Sequence, residues 1–180
     1  RAHWETAVWV NGRDAGRQES LSVPNVYDLS ALLQPGKKNT IRIRVDNNLI
    51  YNIEHSHAIS AETQTNWNGI IGRMELQAFD KIHIDDVQVY PKPFDKKAAF
   101  EIVVVNKSKK PVKGTIAVTA ATFNTNNKIT VPAQQASFEG SDSLITVRMD
   151  WQAGDNMQWW DEFHPALYRA TVAIQAEQGG

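Results

Sequence analysis

Asn66-Trp-Asn-Gly-Ile-Ile-Gly-Arg-Met-Glu-Leu76, followed by Lys81-Ile-His-Ile-Asp-Asp-Val-Gln-Val-Tyr90, decides the reading of this chain. A polar, aromatic loop bearing glycines leads into one strand, and a second strand follows and stops at Pro91. The amides of Asn66 and Asn68 donate and accept hydrogen bonds together, which suits sugar hydroxyls. The indole of Trp67 offers a flat apolar face to the C–H surface of a pyranose ring. In the competing reading, both amides bond their own turn and Trp67 packs on a sheet.

Upstream, Thr6-Ala-Val-Trp-Val10 runs into Asn11-Gly12, the pair that supplies the positive φ angles of a type I′ hairpin turn. Asp28-Leu-Ser-Ala-Leu-Leu33 before Gln34-Pro-Gly36 predicts a single helical turn, with Asp28 as its N-cap. Asn39-Thr-Ile-Arg-Ile-Arg-Val-Asp46 alternates: Ile41, Ile43 and Val45 share one side, Arg42, Arg44 and Asp46 the other. That pattern predicts an antiparallel strand with one buried face.

Downstream, Pro91-Lys-Pro93 interrupts the strand pattern and predicts a domain boundary near residue 92. Strands are then expected over 98–106, 114–120, 144–149 and 167–174, with Lys107-Ser-Lys-Lys-Pro111 as a charged turn. Short strands at turn-spaced intervals, without a long amphipathic helix, predict β-sandwiches. Six tryptophans, at 4, 9, 67, 151, 159 and 160, could fill such cores or serve as sugar platforms.

In this order the segments resemble family 2 glycoside hydrolases, the β-galactosidase, β-glucuronidase and β-mannosidase group. The resemblance rests on Val8-Trp-Val-Asn-Gly12, Asp28 through Gly36, Asn39 through Asn47, and above all Asn66 through Leu76. Trp159-Trp-Asp-Glu-Phe-His-Pro-Ala-Leu-Tyr168 is similar to the corner that opens the last strands of the family's second domain, with His164, Pro165 and Tyr168 matching best. The fold it implies is all-β: a jelly-roll (galactose-binding-like) β-sandwich over 1–91, followed by an immunoglobulin-like β-sandwich over 92–180. The first of these is expected to be N-terminally incomplete, because only about 90 residues precede Pro91 where such a jelly roll implies roughly 150. The chain therefore reads as an internal fragment whose sandwich would expose edges and apolar faces.

The resemblance implies a retaining enzyme acting on β-linked terminal sugars, with both catalytic glutamates in a barrel downstream. This chain would then be non-catalytic, helping to shape the substrate pocket through Asn66, Trp67, Asn68 and His57. A free-standing carbohydrate-binding module is the alternative. In the family an Asp just ahead of the glycine turn often meets substrate, whereas this chain has Thr63 and Gln64 in that region. Carbohydrate, the barrel and a homo-oligomeric partner are the associations that follow, and a periplasmic or secreted setting is favoured.

Composition narrows the remaining classes. The 180 residues are 42% apolar, enough for a core, and carry 19 basic against 20 acidic side chains for a net charge of −1. Such a balance favours neither nucleic acid nor an anionic membrane. No apolar run approaches the roughly 20 residues that span a bilayer. Without cysteine, disulfides and thiolate zinc sites are excluded. His55 and His57 could share a strand face, but two histidines lack the further ligands of a metal site, so neither metal nor cofactor is expected. Asp85 and Asp86, as strand neighbours, point to opposite faces and cannot act jointly on one glycosidic bond. Elbow, phosphate-loop and cysteine-nucleophile signatures are also missing from the sequence.

Overall fold

The structure is a computed structural model describing residues 2–20, 23–48, 69–158 and 160–178. The described residues contain strands, turns and one 3₁₀ turn, with no α-helix. They fall into two compact units, Arg1–Gln77 and Ala78–Gly180.

In the first unit, β1 (Ala2–His3), β2 (Glu5–Val10), β3 (Arg13–Glu19), β4 (Ile41–Asp46) and β5 (Gly69–Ile70) pair antiparallel. β2 is central in the order β3-β2-β4, and β1 pairs with β5. The β2–β3 hairpin closes through Asn11 at φ 52° and Gly12 at φ 80°, as the Asn-Gly pair predicts. Trp4, Ala7, Val8 and Val10 are buried. Thr6 is buried as well, and its hydroxyl lies 2.7 Å from both the Tyr27 hydroxyl and the Asn25 amide nitrogen. The expected turn after Asp28 is present: the Leu29 carbonyl accepts from the N–H groups of Leu32 and Leu33, at 2.9 and 3.0 Å. Asp28 accepts from the Ser30 N–H at 3.0 Å, the bond an N-cap makes.

Two expectations need correction here. Ile41 and Ile43 do lie opposite the buried Val10 and Val8, yet they remain 39% and 36% exposed. β4 is an outer strand of the sheet, and the described residues cover its apolar side only in part. The strand expected up to Leu76 ends as a ladder at Ile70. Met74, Leu76 and Phe79 stand exposed beyond it.

The second unit holds β6 (Ile82–Lys92), a 3₁₀ turn at Pro93–Asp95, β7 (Lys97–Asn106), β8 (Val112–Thr122), β9 (Thr130–Gly140), β10 (Leu144–Gln152) and β11 (Tyr168–Gln178). They form two antiparallel sheets, β10-β7-β6 and β11-β8-β9. Alternation along β7 turns Ala98, Phe100, Ile102 and Val104 inward, against Ile116, Val118 and Ala120 of β8 and Val147 and Trp151 of β10. The Gln134 side chain ties β9 to β10, donating to the Gln152 carbonyl at 2.6 Å and accepting from its N–H at 2.8 Å.

β6 belongs wholly to this unit, so the compact units divide ahead of it rather than at Pro91. Pro91 pairs with Ala98 inside the strand. An outer strand tolerates proline, because its missing N–H can face away from the ladder. β9, absent from the sequence expectation, carries a proline too. A register shift between Val118 and Ala120 lets Pro132 pass without a ladder partner.

Candidate functional site

The loop residues singled out in the sequence, Asn66, Trp67, Asn68 and His57, lie outside the described residues. What is described is the mount on which the loop lands. Ile70 pairs with Ala2 and Gly69 with His3, directly beside the buried Ala2 and Trp4. The first residues after Asn68 are therefore fixed to the part of the unit that carries its core. Past this bridge, Arg73 pairs with Glu75 at 3.1 Å, and Glu75 accepts from the Gln77 amide at 2.7 Å. Phe79 stacks on His83 with ring centroids 4.7 Å apart.

Asp85 and Asp86 do not behave as simple strand neighbours. The β6–β7 register passes from Ile84 opposite Val104 directly to Asp86 opposite Val103, which leaves Asp85 as the extra residue of a bulge. This explains why the apolar positions change parity, from Ile82 and Ile84 to Val87. Asp86 accepts from Gln88 at 2.8 Å. Among the described residues, no group of three His, Cys, Asp or Glu side chains could hold a metal.

The other polar constellation is the corner leading into β11. The Asp161 carboxylate accepts from the N–H groups of Phe163 and His164, at 2.8 and 2.5 Å. Nδ1 of His164 sits 3.1 and 3.2 Å from its two oxygens. The Tyr168 hydroxyl accepts from the Gln158 N–H at 2.8 Å, and Trp160 bridges to Pro165. Asn124, which drew no notice in the sequence, closes the corner from the β8–β9 loop. It accepts from the Leu167 N–H at 2.7 Å and donates to the Pro165 carbonyl at 2.5 Å. No local pattern marks Asn124, because its partners lie some forty positions away in the chain. Around this frame Phe123, Trp160, Phe163 and Leu167 are exposed, with the Arg169 guanidinium 4.8 Å from the Phe123 ring centroid.

The corner has a pH signature. Desolvation pushes the Asp161 carboxyl pKa up, but the hydrogen bonds from His164 and Phe163 outweigh it and hold the group below its usual value. A depressed carboxylate contributes stability above its unfolded pKa, near 3.8, and loses that contribution as pH falls through the lower folded value. Acid titration followed by the indole resonance of Trp160 should therefore show the corner loosening below about pH 4. Asp161→Asn should remove that acid limb. An identical limb in both proteins would contradict the assignment.

Comparison with known proteins gives this geometry a family. The sequence profile described as "Glycosyl hydrolases family 2" matches residues 82–180. The β-galactosidase large subunit of Leuconostoc lactis is 26% identical over 169 residues, covering 93% of this chain and 24% of that protein. In structure, a glycosyl hydrolase family 2 member from Bacteroides cellulosilyticus superposes with a TM-score of 0.68 at 19% identity, over 97% of this chain and 23% of the other. A β-glucuronidase from glycoside hydrolase family 2 superposes with a TM-score of 0.66 at 18% identity, over 97% and 20%. The chain thus spans about a quarter of the length of the curated relatives it matches. With the profile covering more than half of its residues, and with sheets that superpose on two such enzymes, this chain belongs to glycosyl hydrolase family 2.

Proposed function

We propose that the chain is a non-catalytic part of a retaining exo-glycosidase acting on β-linked terminal sugars. The first unit is the tail of a sugar-binding jelly roll, and the loop at Asn66, Trp67 and Asn68, with His57 nearby, walls the substrate pocket. The second unit is an immunoglobulin-like spacer for the catalytic barrel, which supplies both glutamates. The observation that carries this reading is the alignment of nearly the whole chain with only a quarter of a β-galactosidase large subunit. The bulk of such an enzyme, and the chemistry with it, then lies in other segments. The relatives' designation as large subunits supports a partner subunit for the parent protein. The exposed aromatic end formed by Phe123, Trp160 and Phe163 is the surface this reading assigns to the rest of the enzyme.

The test is made in the parent enzyme with aryl β-galactoside and aryl β-glucuronide substrates. Asn66→Ala and Trp67→Ala should each lower kcat/KM about 10- to 100-fold on the preferred substrate, since each removes roughly one substrate contact. A rise in KM should account for most of the loss. Unchanged kinetics in both variants would sink the pocket-wall assignment. Sugar affinity residing in the isolated chain at Trp67 would instead favour a free-standing binding module.

A further inference from the structure

The sheet β10-β7-β6 turns one face to the core and leaves the other open, and the open face is organised around an aromatic ring. Tyr90 lies opposite Ala99, which lies opposite Asp150. Two residues along, Gln88, Glu101 and Arg148 form the next row on the same face. Ala99 is the smallest side chain of the six, so it leaves a notch between Tyr90 and Asp150. A shallow groove of about 320 Å³ lies there, lined by Tyr90, Ala99, Glu101, Arg148 and Asp150. Tyr90 is 53% exposed although its strand packs into the sandwich, so a flat ring is presented beside the notch.

Part of the hydrogen-bonding capacity around the ring is not taken up by the described residues. Nε of Arg148 donates to Glu101 at 2.8 Å, which fixes the guanidinium on the face. Its two terminal nitrogens have no protein partner among the described residues, and neither does the Asp150 carboxylate. Tyr90 and Arg148 line the same groove. An aromatic plate flanked by a carboxylate acceptor and guanidinium donors, all within one groove, is the complement of a pyranose ring with its apolar face and equatorial hydroxyls. The groove carries two carboxylates against one guanidinium, so it disfavours a uronate.

We propose that this face is a second carbohydrate-binding site of the chain, centred on Tyr90 and selective for neutral pyranosides. It stands on the second unit and does not depend on the reading of the Asn66 loop. A single ring contact in an open groove sets the affinity on the order of millimolar.

The test is an amide NMR titration of the full chain with methyl β-galactopyranoside, repeated with methyl β-glucuronide. Saturable shifts should appear at the amides of Tyr90, Ala99, Glu101 and Asp150, and the glucuronide should bind at least several-fold more weakly. Tyr90→Phe should keep most of the affinity, while Tyr90→Ala and Asp150→Ala should each weaken it about tenfold or more. The remaining amide spectrum of each variant reports whether it is folded, and Asp150 is exposed enough to serve if Tyr90→Ala is not. Absent shifts on this face, or affinity unaltered in the folded Tyr90→Ala or Asp150→Ala protein, would overturn the site. Shifts confined to the Asn66 loop would do the same and would favour the free-standing binding module over the pocket wall.

Discussion

Replacing Trp151 by alanine should cost the second unit about 3–5 kcal/mol, the range for emptying an aromatic from a packed core. A domain of this size holds only about 5–15 kcal/mol in total. Trp151 is 5% exposed and meets Phe100 edge-on, with centroids 6.0 Å apart and planes at 69°. It also lies opposite the buried Ala98, a residue too small to fill the gap. The contrast with Trp151→Phe sharpens the expectation. The buried Nε1 of Trp151 has no hydrogen-bond partner among the described residues, so the indole N–H is a liability of about 1–3 kcal/mol. Phenylalanine keeps a ring against Phe100 and removes that liability, and it should cost less than half of what alanine does. Urea unfolding followed by far-UV circular dichroism, with the transitions of the two units fitted separately, measures both. Equal losses for the two variants would mean that ring packing is not what Trp151 contributes.

Gly114→Ala should also destabilise the second unit, by about 1–3 kcal/mol. The sign is the informative part. A glycine in an ordinary strand conformation normally gains about 0.4–1 kcal/mol on becoming alanine, because the unfolded chain loses freedom. At Gly114 a Cβ would stand 2.3 Å from the Gln175 carbonyl oxygen and 2.8 Å from two ring carbons of Phe138. The ring is 8% exposed and sits opposite Gly114 in the β8–β9 register, so it occupies the space a side chain would take. The carbonyl belongs to the β11 backbone and cannot swing aside as a side-chain tip could. A midpoint in urea that stays put or rises would show that Phe138 and β11 shift freely. Gly114→Ala combined with Phe138→Leu should recover part of the loss, with the backbone contact accounting for the rest.

Local chemistry was legible in the sequence. The Asn11-Gly12 turn, the single turn after Asp28 and the inward alternation of β7 each follow from a few adjacent residues. The bulge at Asp85 left a trace as well, in the change of parity between Ile84 and Val87. Burial was not legible at β4: the alternation of Ile41, Ile43 and Val45 states which side is apolar, but only a neighbour can cover it. β9 escaped because Pro132 and a run of small and polar residues hide a strand that buries only Val131 and Phe138. Asn124 and the Tyr90 face escaped for a common reason. Both arise from long-range register, and no short motif encodes which residues of three strands share a row. Of the candidate site, the sequence supplied the loop residues and the structure supplied the strand pair on which the loop lands.

Asn11 links two parts of the first unit, since its amide donates to the Leu32 carbonyl at 3.2 Å and to the Asn39 side chain at 2.8 Å, while its oxygen accepts from the Thr40 N–H at 3.0 Å. An asparagine before glycine is the sequence most prone to spontaneous deamidation, because the following N–H can attack the side-chain carbonyl unhindered. In the folded unit both ends of that amide are held by partners, which opposes the side-chain rotation the attack needs. The hairpin that organises the first unit is thus also its chemical clock. It should run more slowly while the fold persists and faster whenever the fold opens, each event replacing a donor with a carboxylate that the Asn39 oxygen and the Leu32 carbonyl cannot accommodate.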